Sequence, residues 1–200
     1  IFNVLRKCKK AYLVDSTAKC DSGDWETTVD LADVPGIMST CFDILSDICS
    51  CADNIERMYS SDISIISFLF DILCMKQCQE SSLMISSLFS ALNSICSIHN
   101  VSCIKEVIDL EVIPLILEIY SKFLKKDFQS IHLIMKMLRS IMTCDSVNAK
   151  IPILACKESL ADFVAEYCAH ENRDAAEIES FLEMVHLLIK ISATFLSKFS

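Results

Sequence analysis

Two glycines (Gly23, Gly36) and three prolines (Pro35, Pro114, Pro152) are the only strong backbone breakers in 200 residues. Sandwiches and barrels need turn residues roughly every 8–12 positions, and this chain does not supply them. Half of the residues (52%) are apolar and the mean hydropathy is +0.43, so the sequence can bury a core and is not a disordered chain. Long helices joined by short links remain, and the expected fold class is all-α.

The apolar spacing places these helices. Residues 1–14, with Ile1, Phe2, Leu5 and Cys8 at helical intervals, read as the tail of a helix. Because Ile1 already lies inside this amphipathic run, the chain reads as a fragment whose two ends cut through repeats. Residues 15–33 are polar and carry Asp21, Asp24, Glu26, Asp30 and Asp33, an acidic loop whose single Trp25 reads as an anchor on the solenoid before a partner contact. A helix then starts at Pro35, near an Asp33 cap, and runs to about Cys49. A short helix is expected near Asn54–Tyr59, one from Ile63 to about Met75 after a Ser61/Asp62 cap, and one over Ser81–Ser97. Further helices are expected near Ser102–Asp109, from Pro114 to about Leu124, from an Asp127 cap to Met142, over Glu158–Cys168, and from about Asp174 past Ser192.

The pattern recurs. A Leu-x-x-Ile signature closes the long helices at Leu45/Ile48, Leu92/Ile95, Leu138/Ile141 and Leu188/Ile191, at intervals of 47, 46 and 50 residues. A unit of this kind cannot bury its apolar faces alone and stacks on copies of itself. Residues 1–200 therefore read as a single unit of architecture: a truncated repeat end (1–14), the acidic loop (15–33) and three to four helical repeats (34–200).

Asn100–Ile116 (NVSCIKEVIDLEVIPLI) resembles the armadillo-repeat consensus: a short helix with a Val/Ile pair, a turn, then Ile-Pro-Leu at the start of the second helix. Ala91–Ile95 (ALNSI) resembles the close of a groove-lining third helix. Leu88–Ile98, Cys103–Leu117 and Met137–Ile151 resemble the armadillo-repeat-containing protein six family, and the likeness extends over about residues 34–192. It implies a right-handed armadillo/HEAT-like α-solenoid of about four stacked repeats, without catalytic activity. Two departures stand out. Glu111 and Val112 occupy the place of the usual Gly between the first and second helices, which leads us to expect a more open turn. The groove Trp and Asn of import-receptor and catenin-type relatives are also missing, so their mode of binding basic signals is not expected.

If the third helices stack as the resemblance implies, positions four apart on each share one face. That face reads Ser39/Asp43/Asp47, then Ser86/Ser90/Ser94, then His132/Lys136/Ser140, then Leu182/His186/Lys190. It runs from acidic through serine-rich to basic. A protein segment of opposite charge order would dock along it with one polarity. A solvated amphipathic face explains the same residues without a partner.

Other function classes find little support. The net charge of −9 opposes nucleic-acid and anionic-membrane binding. The two basic groups, Arg6/Lys7/Lys9/Lys10 and Lys122/Lys125/Lys126, read as solvated helix ends. No uninterrupted run of about 18 apolar residues is present, so a membrane span is not expected. Twelve cysteines occur without a Cys-x-x-Cys pair; they read as reduced, buried thiols of an intracellular protein, cytoplasmic with the nucleus as a second compartment. Cys74/Cys78, Cys96, His99 and Cys103 lack a second convergent pair for zinc, and core packing is the reading for Cys74, Cys96 and Cys103. Met135, Met137 and Met142 read as core filling before adaptable binding. With no phosphate loop or nucleophile signature, no enzyme activity, cofactor, metal or small-molecule substrate is expected. The leading expectation is a non-catalytic protein-binding module. The runner-up is a structural segment of a larger HEAT-like scaffold, and a cysteine-based metal or redox sensor comes third.

Overall fold

The computed structural model describes residues 1–13, 33–60, 64–98, 100–124, 128–143 and 156–169, then 178, 179, 181–183, 185–187, 189 and 190. Among them there is no strand. Ten α-helices have complete bounds: α1 (Phe2–Leu13), α2 (Val34–Cys49), α3 (Ala52–Ser60), α4 (Ile65–Leu73), α5 (Lys76–Gln79), α6 (Ser82–Ser97), α7 (Val101–Asp109), α8 (Val112–Ile119), α9 (Phe128–Thr143) and α10 (Lys157–Ala169). A π-helical turn, Tyr120–Leu124, continues α8. The described residues between 178 and 190 are helical too.

Side-chain caps account for two of the starts. Ser81 accepts the Met84 N–H at 3.4 Å and caps α6. Asn100 accepts from the N–H groups of Ser102 (3.0 Å) and Cys103 (3.2 Å) and caps α7. Each bond satisfies a first-turn donor that has no partner within its own helix. Pro35 sits in the first turn of α2, but Asp33, although at the cap position, makes no side-chain capping bond. Pro114 falls at the third position of α8 rather than the first. The helix tolerates it there because first-turn N–H groups lack intrahelical acceptors. The expected caps at Ser61/Asp62 and Asp127, the acidic loop with Trp25 and the segment around Pro152 lie outside the described residues.

The helix expected from Ile63 to Met75 is shorter, and the single turn α5 follows it. Gln79 donates its amide to the Leu73 carbonyl at 2.9 Å, satisfying the open end of α4. Glu111 takes φ 52° and ψ 38°, the left-handed conformation for which glycine is the default. The turn between α7 and α8 is therefore tight, not opened, and a glutamate carries the strain.

One apolar core runs through the helices, from Leu5 on α1 through Phe42, Leu69, Leu92, Ile116, Leu138 and Phe163 to Phe181. Leu45, Leu92 and Leu138 of the recurring signature are all at most 1% exposed. Ile95 and Ile141 are buried with them, Ile48 is half-buried, and Leu188/Ile191 lie outside the described residues. Met135, Met137 and Met142 are buried and fill the core.

The two largest helix interfaces join α2 to α6 and α6 to α9. Around them α1 packs on α2, α4 on α7, and α8 on α10. Phe2 meets Phe68 edge-on at 5.4 Å, and Lys9 pairs with Asp71 at 2.7 Å, tying α1 to α4. Tyr120 meets Phe163 edge-on at 4.9 Å, and Tyr167 stacks on Phe181 at 4.7 Å, carrying the packing to the C-terminal helical residues.

Candidate functional site

Hydroxyl contacts join α2 to α6. Ser39 and Ser87 bring their Oγ atoms to 2.7 Å in a buried contact, and Ser46 and Ser94 do the same where partly buried. Ser46 also lies 3.4 Å from Ser90 Oγ. From Ser39 to Ser46, and from Ser87 to Ser94, the chain advances about two helical turns. Both pairs are 48 residues apart. Helices α2 and α6 therefore run parallel, with paired serine hydroxyls along the seam.

This geometry sorts the predicted residues. Ser39 is 5% exposed and bonded to Ser87, so it belongs to the interior of the α2–α6 seam. Ser90 and Ser94 are half-buried beside Ser46, and Ser86 is half-buried on the same helix. Asp43 and Asp47 are exposed on α2. On α9, Lys136 is exposed, while His132 and Ser140 are half-buried; the Ser140 hydroxyl donates to the Lys136 carbonyl at 3.0 Å. His186 and Lys190 are exposed, and Leu182 is 59% exposed. The five charged or titratable side chains that remain open are thus acidic on α2 and basic or imidazole at α9 and beyond.

Sequence reasoning missed two features near this face and one behind it. Arg139 on α9 pairs with Glu183, joining that helix to the C-terminal helical residues. A groove of about 600 Å³ opens beside this pair, lined by Arg139, Thr143, Leu182, Glu183, His186 and Leu187. The third feature centres on Glu106 of α7. Its carboxylate accepts the Tyr59 hydroxyl at 2.5 Å, the Ser67 backbone N–H at 3.0 Å, and the Ser64 hydroxyl. Ser64 occupies the cap position of α4 without capping it. Glu106 therefore supplies, from another helix, the negative end that the N-terminus of α4 attracts. Burial first, then bonding with Cys103 and Glu106, pushes the Tyr59 phenol well above its ordinary value and keeps it a donor. The one sequence trace of this cluster is the 47-residue interval between Tyr59 and Glu106.

The buried cysteines have little reactivity in this setting. Cys8, Cys41, Cys49, Cys78, Cys96 and Cys103 are buried. Burial pushes the thiols of Cys49, Cys78 and Cys96 up to about 12. A thiol held protonated is a poor nucleophile and a poor metal ligand. Cys74 is exposed, not core, because it lies at the turn that ends α4; its neighbour in the expected pair, Cys78, is buried. Among the described residues no three His, Cys, Asp or Glu side chains gather as a metal site. Nor is any single described helix long and apolar enough to cross a membrane. His99 lies outside the described residues.

Comparison with protein-family models, with curated proteins and with solved structures finds no match.

Proposed function

We propose that this chain is an armadillo/HEAT-type right-handed solenoid of about four stacked units, and that it works as a non-catalytic protein-binding module. The observation that carries the reading is the parallel packing of α2 on α6 at an offset of 48 residues, continued by α6 on α9. Side-chain links at similar offsets, Tyr59–Glu106 over 47 residues and the Arg139–Glu183 pair, fit one unit following another. Stacking of this kind leaves a continuous face along the long helices, the usual working surface of such arrays.

On that face Asp43 and Asp47 present negative charge at one end, and Lys136, His186 and Lys190 present basic groups towards the other. Between them lies the half-buried serine surface of α6. The partner is a protein segment, basic where it meets α2 and acidic where it meets α9. Complementary charge fixes the direction of docking and speeds encounter, while contacts to the serine seam hold the segment between. Ser39, inside the α2–α6 seam, supports the face without touching the partner.

The test is capture of a partner by the folded chain, compared with Asp43→Lys/Asp47→Lys and with Lys136→Glu/Lys190→Glu. Each variant is expected to lose the same captured protein by at least about tenfold, with helical circular dichroism and melting temperature unchanged. Capture that survives both charge reversals refutes binding through this face.

A further inference from the structure

We draw no further inference here: the strongest candidate, the exposed apolar patch of Ile178, Leu182 and Ile189 on the C-terminal helical residues beside the Arg139–Glu183 groove, is bordered by exposed acidic and basic or imidazole groups alike (Glu179, His186, Lys190), and nothing in the structure shows what covers it.

Discussion

Replacing Glu106 with alanine removes three hydrogen bonds that converge on one carboxylate from α3 and from the start of α4. Their losses differ. The Tyr59 hydroxyl sits in a half-buried site and donates to a charged acceptor; such a bond contributes about 1.5–3 kcal/mol. The Ser67 N–H is a first-turn donor of α4, and losing a cap costs about 1 kcal/mol. Ser64 is exposed, so water replaces Glu106 there at little cost. The sum is about 2–4 kcal/mol, a large share of the roughly 5–15 kcal/mol that holds a domain folded. At about 2–4 °C per kcal/mol for a chain of this size, a 3 kcal/mol loss lowers the melting temperature by about 6–12 °C. Urea unfolding followed by circular dichroism measures it. Tyr59→Phe should cost only its own share, about 1.5–3 kcal/mol, and the double variant should cost less than the two singles summed. A Glu106→Ala chain within about 0.5 kcal/mol of wild type would refute the reasoning.

Glu111→Gly should stabilise the chain by about 0.5 kcal/mol, because glycine accepts the left-handed turn without strain but loses more freedom on folding; Glu111→Val should destabilise it by about 1–2 kcal/mol, both read from urea midpoints. Ser39→Ala leaves the buried Ser87 hydroxyl unbonded and should cost about 1–2 kcal/mol, while Ser39→Ala/Ser87→Ala should recover part of that loss. Folding holds the Cys49, Cys78 and Cys96 thiols near 12 against an ordinary 9.0, so the unfolded chain releases their protons first. Their contribution is complete below pH 9 and is lost as the pH rises towards 12, so the urea midpoint should fall across that window. Native alkylation at neutral pH, read by mass spectrometry, should label Cys51 and Cys74 and leave the six buried thiols unmodified until urea is added.

Helix positions were legible because apolar spacing and breakers are local signals. The boundaries of α2, α3, α6, α7 and α10 fall within about two residues of those read from the sequence, a normal scatter for helix ends. The exceptions have tertiary or conformational causes. Asp33 and Ser64 are good capping residue types, yet neither caps its helix, and α4 takes its acceptor from Glu106, 42 residues beyond Ser64. The missing glycine at Glu111 correctly marked an unusual position, but sequence cannot say whether a chain will open a turn or accept a strained φ. At the candidate face, four-residue spacing grouped Ser39 with Asp43 and Asp47. Yet one side of α2 also meets α6, and an interior serine can be told from an exposed one only when its partner Ser87 is known. Arg139–Glu183 and the groove beside it depend on the arrangement of two separate helices, which leaves no periodic trace in either.

Parallel packing of the long helices is the premise of the proposed face, and nuclear Overhauser contacts between serine β-protons measure it most directly. Selectively labelled protein should give cross-peaks between Ser39 and Ser87 and between Ser46 and Ser94, the pairs with 2.7 Å oxygen separations. Cross-peaks joining Ser39 to Ser94 and Ser46 to Ser87 instead would mean antiparallel helices, and would contradict both the stacking and the charge order built on it.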